Sequence, residues 1–262
     1  MPSESVVTEI PYARPSSTVV LARASAREPE LFMVQRHEDS AFGAAWAFPG
    51  GVVDEDDAMV HEFCSGIGVT EADSHLGVKA DGLELYSAAI RELFEESGVL
   101  LADAAELTED LGAVRDALNA GAESWADFVS RNNLALRCDK LHYFSHWVTP
   151  QTLSKRYSTR FFLSEMPADQ SAMHCGGELT DCRWVGAHDM LEAERAGEVE
   201  LHFPTIKTLE LIARYETLEE LVEWASTCVE WGVTTMLPAV IRRDGEPDIV
   251  LPGDKDYPGA KT

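Results

Sequence analysis

Three glutamates and an arginine stand close enough in one segment to share a task. Arg91, Glu92, Glu95 and Glu96 fall within the run RELFEESGV, residues 91–99. If the run is helical, the three carboxylates occupy about 100° of arc on one face. Like charges at that spacing repel by roughly a few tenths of a kcal/mol per pair even when exposed. Arg91 reaches Glu95 at i,i+4 and offsets part of the repulsion. A hard divalent cation would offset the rest, since carboxylate oxygens are the ligands Mg²⁺ and Mn²⁺ take. A bare cluster of this kind is ordinarily a solvated acidic face. Two neighbouring features favour the metal. Leu93 and Phe94 anchor the helix in a core, and Phe48-Pro49-Gly50-Gly51 upstream offers backbone N–H groups that can approach a phosphate.

The segment presenting these acids reads as a helix over Leu85 to Leu101, with Leu85, Ala88, Ala89, Leu93 and Phe94 as its core stripe. Gly98 stands where a helix stop belongs. Short β-branched or alternating runs predict strands at Thr18 to Ala24, Leu31 to Arg36, His142 to Thr149, Tyr157 to Ser164 and Cys182 to Val185. His142 and His146, at i,i+4, read as sharing one strand face. Further helices are expected from Ser124, at Ala187 to Ala196, from Pro204, and from Thr217 with its capping box. A terminal hairpin is expected across Met236 to Pro252. Residues 54–82 are acidic and weakly periodic, and read as a surface excursion. Strands and helices mix without regular βαβ alternation, which favours an α/β sandwich or α+β fold over a doubly wound sheet.

The chain has 262 residues, 45% apolar and 26% charged, enough for one large domain or two small ones. It carries 46 acids against 21 bases, a net charge of −25. Such a surface repels phosphate polymers and anionic lipids, so broad nucleic-acid or membrane-surface binding is not expected. Residues 37–130 hold 21 acids and three bases, whereas residues 131–160 hold six bases and one acid. No apolar run is long enough to span a membrane, and MPSESVVTEIPYARP has no secretory pattern. Five widely spaced cysteines without a CxxC pair suit reduced thiols in a cytoplasmic setting. The C-terminal Ala260-Lys261-Thr262 is not a peroxisomal address.

RELFEESGV resembles the second half of the Nudix box at every defining position, and Phe48-Pro49-Gly50-Gly51 resembles the approach to its start. Gly51 stands 40 residues before Arg91, so about 26 residues interrupt the motif. Either Asp57 or Glu84 could take the place of its first glutamate. The interrupted box is similar to the peroxisomal coenzyme-A diphosphatase branch. So are HWVTP, RYSTRFFL, Glu178 six residues before Trp184, and MLPAVI followed by LPGD. Gln35-Arg36 and Gly43 fit part of a coenzyme-A-type signature.

The resemblance implies a Nudix-type α/β/α sandwich with a mixed sheet. It would span residues 12–200 with an acidic insertion at about 54–82. Residues 201–262 would be a helical extension and hairpin packed on the same domain. It implies a Mg²⁺- or Mn²⁺-dependent pyrophosphohydrolase acting on a small nucleoside-diphosphate-linked molecule, with coenzyme A or acyl-CoA the leading substrate. Glu92, Glu95, Glu96 and Glu178 would be metal ligands, and Arg91, Glu92, Glu96 and Glu178 the catalytic set. Arg36, Gly50, Gly51, Arg156 and Arg160 would meet substrate. For Arg36, Arg156 and Arg160, ion pairing or surface charge balance is the other reading. Two alternatives stand beside this function: hydrolysis of another dinucleotide or a nucleotide sugar (NADH, ADP-ribose), and a non-catalytic binding module of the same fold. A homodimer is allowed by family analogy.

Overall fold

The computed structural model describes residues 12–36, 44–173, 179–243 and 246–258. The chain opens with strands β1 (Ala13–Arg23), β2 (Glu30–Arg36), β3 (Trp46–Ala47) and β4 (Gly50–Val52). The expected excursion contains α1 (Glu55–Ala58), β5 (Cys64–Ser65) and α2 (Val69–Leu76). Next come α3 (Gly82–Ser97), β6 (Ala102–Asp103), α4 (Leu111–Asn119), α5 (Trp125–Arg131) and β7 (Ala135–Arg137). The long strands β8 (His142–Val148), β9 (Arg156–Glu165) and β10 (Leu179–Gly186) follow. The C-terminal part holds α6 (Ala187–Arg195), α7 (Phe203–Ile212), α8 (Leu218–Trp231), β11 (Thr235–Met236) and the hairpin β12 (Ala239–Arg243) and β13 (Glu246–Val250).

The main sheet is mixed and runs β10-β2-β1-β9-β8-β11, with β3 on β2 and β4 on β1. β1 lies parallel to β9 along its whole length, from Ala13 opposite Arg156 to Ala22 opposite Glu165. Its other edge is shared: Ser16 to Thr18 pair with β4, and Ala22 and Arg23 pair with β2. Both faces of this strand are covered, so it reads as a nearly continuous apolar run rather than an alternating one. Its side chains still divide with period two. Val19 and Leu21 pack with Tyr86, Ile90, Leu93 and Phe94 of α3. Val20 and Ala22 pack with Met190, Leu209, Ile212 and Leu221 of α6, α7 and α8. The result is the expected α/β/α sandwich.

Residues 54–82 are more than a surface excursion. Asp57, Val60 and Ala72 are fully buried and Leu76 nearly so. Their apolar positions are too few and too irregular to show a period. β5 pairs with β7, and α2 packs on the start of α3. Gly82 makes that approach possible: a Cβ there would lie 2.7 Å from the Ala72 carbonyl carbon. Its N–H donates to Asp73 Oδ1 at 2.8 Å. α3 therefore begins before the expected Leu85, and it ends at Gly98 in the left-handed region (φ 76°).

Candidate active site

α3 carries the acids, and nearly all of it is buried, including Arg91 and Glu96. Its last turn is held by α4. Arg115 Nε and Asn119 Nδ2 both donate to the Glu95 carbonyl, at 2.9 and 3.1 Å. A cation at a helix C-terminus is favourable against the dipole. The loop before β4 crosses the acidic face. Gly50 N–H donates to Glu96 Oε2 at 2.9 Å. A Cβ on Gly51 would collide with the Glu92 carboxylate. The two glycines thus admit the acids to the strand edge.

Arg91 sits at the centre, and its five N–H donors meet five acceptors. Nε and Nη2 reach the two oxygens of Asp57 at 3.2 and 2.9 Å. Nη2 also donates to the Val52 carbonyl at 2.9 Å. Nη1 divides between Glu92 Oε1 at 2.9 Å and Glu95 Oε2 at 3.2 Å. Of the two acids open as the first glutamate of the motif, Asp57 is joined to Arg91, whereas Glu84, in the first turn of α3, lies 4.0 Å from His61. Three carboxylates surround one guanidinium, leaving an excess of negative charge in a poorly solvated place. Burial lowers the Arg91 pKa, but Glu92 and Asp57 more than offset it and the net shift is upward. The Glu95 carboxyl is pushed up to about 7, first by burial; Arg91 pulls it back, and Glu92 and Asp57 raise it further.

That shift has a signed consequence. Between the ordinary carboxyl value of 4.5 and about 7, folded metal-free protein holds a proton on Glu95 that unfolded chain has lost. Glu95 should therefore subtract stability as pH rises through that window, on the order of 1–3 kcal/mol. His146, held down to about 4 by burial and then by Arg160, contributes with the opposite sign. The readout is accordingly the difference in metal-free unfolding free energy between Glu95→Gln and wild type. The variant should gain relative stability from pH 5 to 7.5, and a flat difference would contradict the shift.

A cavity of about 830 Å³ opens beside the acids. Glu96, Gly50 and Gly51 line one part of it. Phe48, Trp147, Phe161 and Leu179 supply apolar wall, and Phe203, Pro238 and Ile249 bring in the C-terminal elements. Sequence reasoning had found none of this C-terminal wall. Among the described residues no three His, Cys, Asp or Glu side chains converge as a complete metal cage. Mg²⁺ needs none, because it keeps several waters and takes one or two carboxylates together with substrate phosphates. The excess charge around Arg91 suits such a cation.

Two expected contacts are not formed. Tyr157, Thr159 and Phe161 of β9 line the cavity, so the period of two turns Arg156 and Arg160 to the other side of the sheet. Arg156 Nε donates to the Thr149 carbonyl at 3.1 Å, and Arg160 Nη1 to Ser158 Oγ at 2.8 Å. These arginines tie β9 to its surroundings and do not reach the cavity. His142 and His146 do not share a face either. An irregularity between Tyr143 and Ser145 sets His142 opposite Leu163 but His146 opposite Arg160. Glu178, Gly43 and the Arg36 side chain lie outside the described residues. The Arg36 backbone pairs opposite Leu179, a cavity residue.

Comparison with known proteins gives a consistent picture. The family model for the NUDT19 Nudix domain matches residues 70–212. Putative nudix hydrolase 7 of Caenorhabditis elegans is 25% identical over 249 residues, covering 93% of this chain and 74% of that protein. Acyl-coenzyme A diphosphatase NUDT19 of Xenopus laevis is 23% identical over 290 residues, 95% of this chain and 76% of that one. A NUDIX hydrolase structure from Alicyclobacillus acidocaldarius superimposes with a TM-score of 0.70 at 25% identity, covering 82% of this chain and 97% of that one.

Proposed function

Because this chain belongs to the Nudix hydrolases, in the family of the NUDT19 Nudix domain, we propose that it cleaves the diphosphate of a nucleoside-diphosphate-linked small molecule, coenzyme A or an acyl-CoA before others. The family hydrolyses phosphorus anhydrides and uses divalent metal ions. The observation that carries the substrate reading is the junction of two environments: an acidic, metal-suited edge at Glu96, Gly50 and Gly51, and a large apolar cavity continuous with it. Such a cavity suits a substrate with a long non-reacting arm. The name of the Xenopus relative, an acyl-coenzyme A diphosphatase, supports the same substrate class.

In the proposed mechanism water attacks phosphorus at the cavity edge. A divalent cation, Mg²⁺ or Mn²⁺, supplies charge neutralisation of the diphosphate and acidifies water when bound. Glu92, Glu95 and Glu96 would hold it, with Glu178 as a further candidate. One of these acids also takes the proton of the attacking water. Arg91 keeps Glu92 and Glu95 apart and oriented through charge-assisted bonds. Gly50 N–H fixes the Glu96 carboxylate at the cavity. We further propose that residues 12–200 form the hydrolase domain and that residues 201–262 extend it, since α7 and β13 share its cavity wall. No helix among the described residues is long and apolar enough to cross a membrane. The free thiols of the four cysteines among the described residues support a cytoplasmic, reducing setting.

The test is a product panel with Mg²⁺ or Mn²⁺ over coenzyme A, acyl-CoAs, NADH, ADP-ribose and diadenosine polyphosphates, resolved by chromatography. Coenzyme A and its esters should give an adenosine bisphosphate and a phosphopantetheine, with the highest kcat/KM of the panel. A higher kcat/KM on NADH or ADP-ribose would overturn the substrate choice.

A further inference from the structure

We propose that Ser87 and Trp125 are positioning residues for this hydrolysis, fixing through Asp57 the plane of the Arg91 guanidinium. The proposal rests on the reading that Glu92 and Glu95 serve the reaction. Trp125 Nε1 donates to Ser87 Oγ at 3.1 Å, and Ser87 Oγ donates to Asp57 Oδ1 at 2.9 Å. Asp57 and Ser87 are fully buried and Trp125 nearly so. The direction of every bond is determined. An indole N–H only donates, and an ionised carboxylate only accepts. The Ser87 hydroxyl must therefore give its proton to Asp57 and receive that of Trp125, and it has no second orientation. Asp57 also accepts from the Asp54 N–H at 2.9 Å and from two nitrogens of Arg91. That uses about the four lone-pair sites a carboxylate offers.

The arrangement is stiff at both ends. Arg91 has all five donors engaged, so a rotation of Asp57 has to be followed by the guanidinium that spaces Glu92 and Glu95. At the other end the Trp125 ring is packed against the stacked pair Phe94 and Phe128, with centroids 6.5 and 5.9 Å away. The start of α5 is held separately: Asp56 Oδ2 accepts from Ser124 Oγ at 2.6 Å and from Ala126 N–H at 3.4 Å. Adjacent acids of α1 thus dock α5 and orient the α3 arginine. α5 lies far from the acids in sequence, yet the chain of bonds from its first residue ends on them. Ser87 is one turn before Arg91 on the same helix, so Asp57 is clamped between two residues of α3.

The test uses the full-length protein with Ser87→Ala, Trp125→Phe and the double variant. Mn²⁺ binding is read by electron paramagnetic resonance, and metal-free melting is read alongside. Each single variant should weaken Mn²⁺ binding by about tenfold, the low end for residues that orient metal-binding groups. The double variant should be no weaker than Ser87→Ala, because the two bonds act in series. On coenzyme A, kcat should fall while KM stays within about twofold of wild type. Unchanged Mn²⁺ affinity with a lowered melting temperature would make both residues merely structural and overturn the proposal, as would losses that multiply in the double variant. If Ser87→Ala fails to fold, Trp125→Phe decides, since it keeps an aromatic ring in the cluster. The Mn²⁺ readout stands whether or not coenzyme A is the substrate, which separates this inference from the substrate reading.

Discussion

Glu96→Gln should lower turnover by about 10² to 10⁴ while leaving the protein at least as stable as wild type. The two halves of that expectation come from one geometry. Glu96 lies at the cavity edge and accepts the Gly50 N–H at 2.9 Å. Glutamine has the same shape, and its amide oxygen can accept the same bond. What it removes is a negative charge beside Glu92 and Glu95, which with Asp57 already outnumber the one arginine they share. Without metal, fewer like charges in a poorly solvated place means less repulsion. With metal, the same change removes a ligand or the acceptor of the water proton. Activity and stability therefore move in opposite directions, as they do where a site is kept strained for function. Steady-state kinetics with Mn²⁺, paired with melting in a chelator, reads both. Turnover equal to wild type would remove the acidic face of α3 from the mechanism.

The legibility of this site in the sequence followed the range of the interactions involved. Glu92, Glu95 and Glu96 are neighbours on one helix, so their grouping is a matter of local period, and it was readable. So was the arrest of α3 at Gly98, and so was the capping box at Thr217, which forms with Glu220. β1 starts earlier than expected because Pro15, Ser16 and Ser17 have loop composition, while their pairing with β4 and β9 is tertiary. The counterpart of the box's first glutamate was narrowed to two acids and no further. Asp57 and Glu84 differ in burial and in what faces them, and neither property is local. Ser87 had a faint signal, lying four residues before Arg91 and so on its face of the helix. Trp125 had none, because only packing brings α5 to α3. The misreading of Arg156 and Arg160 has a different cause. Charge marked them as phosphate contacts, but the alternation of β9 decides their side. With Tyr157, Thr159 and Phe161 at the cavity, the neighbouring arginines face away.

Asp57→Ala should be among the most damaging single changes in the chain, and the reason lies in what it leaves behind. Asp57 is fully buried, and Arg91 is nearly so. Removing the carboxylate takes the acceptor from two arginine N–H groups, the Ser87 hydroxyl and the Asp54 N–H at once. Breaking a buried pair from one side costs about 3–5 kcal/mol, because the remaining charge cannot be rehydrated where it sits. Against a typical total of roughly 5–15 kcal/mol, that is a large share of the whole stability. Arg91 would keep only Glu92, Glu95 and the Val52 carbonyl, and could turn toward the acids and crowd them. Metal binding should weaken together with the fold. Glu84→Ala provides the contrast. Its carboxylate is partly exposed and lies 4.0 Å from the His61 ring, so the change should cost well under about 1 kcal/mol. Denaturant melts of the two variants distinguish the assignments directly. A large loss in Glu84→Ala with a neutral Asp57→Ala would exchange their roles, and the partner of Arg91 would have to be sought on α3 itself.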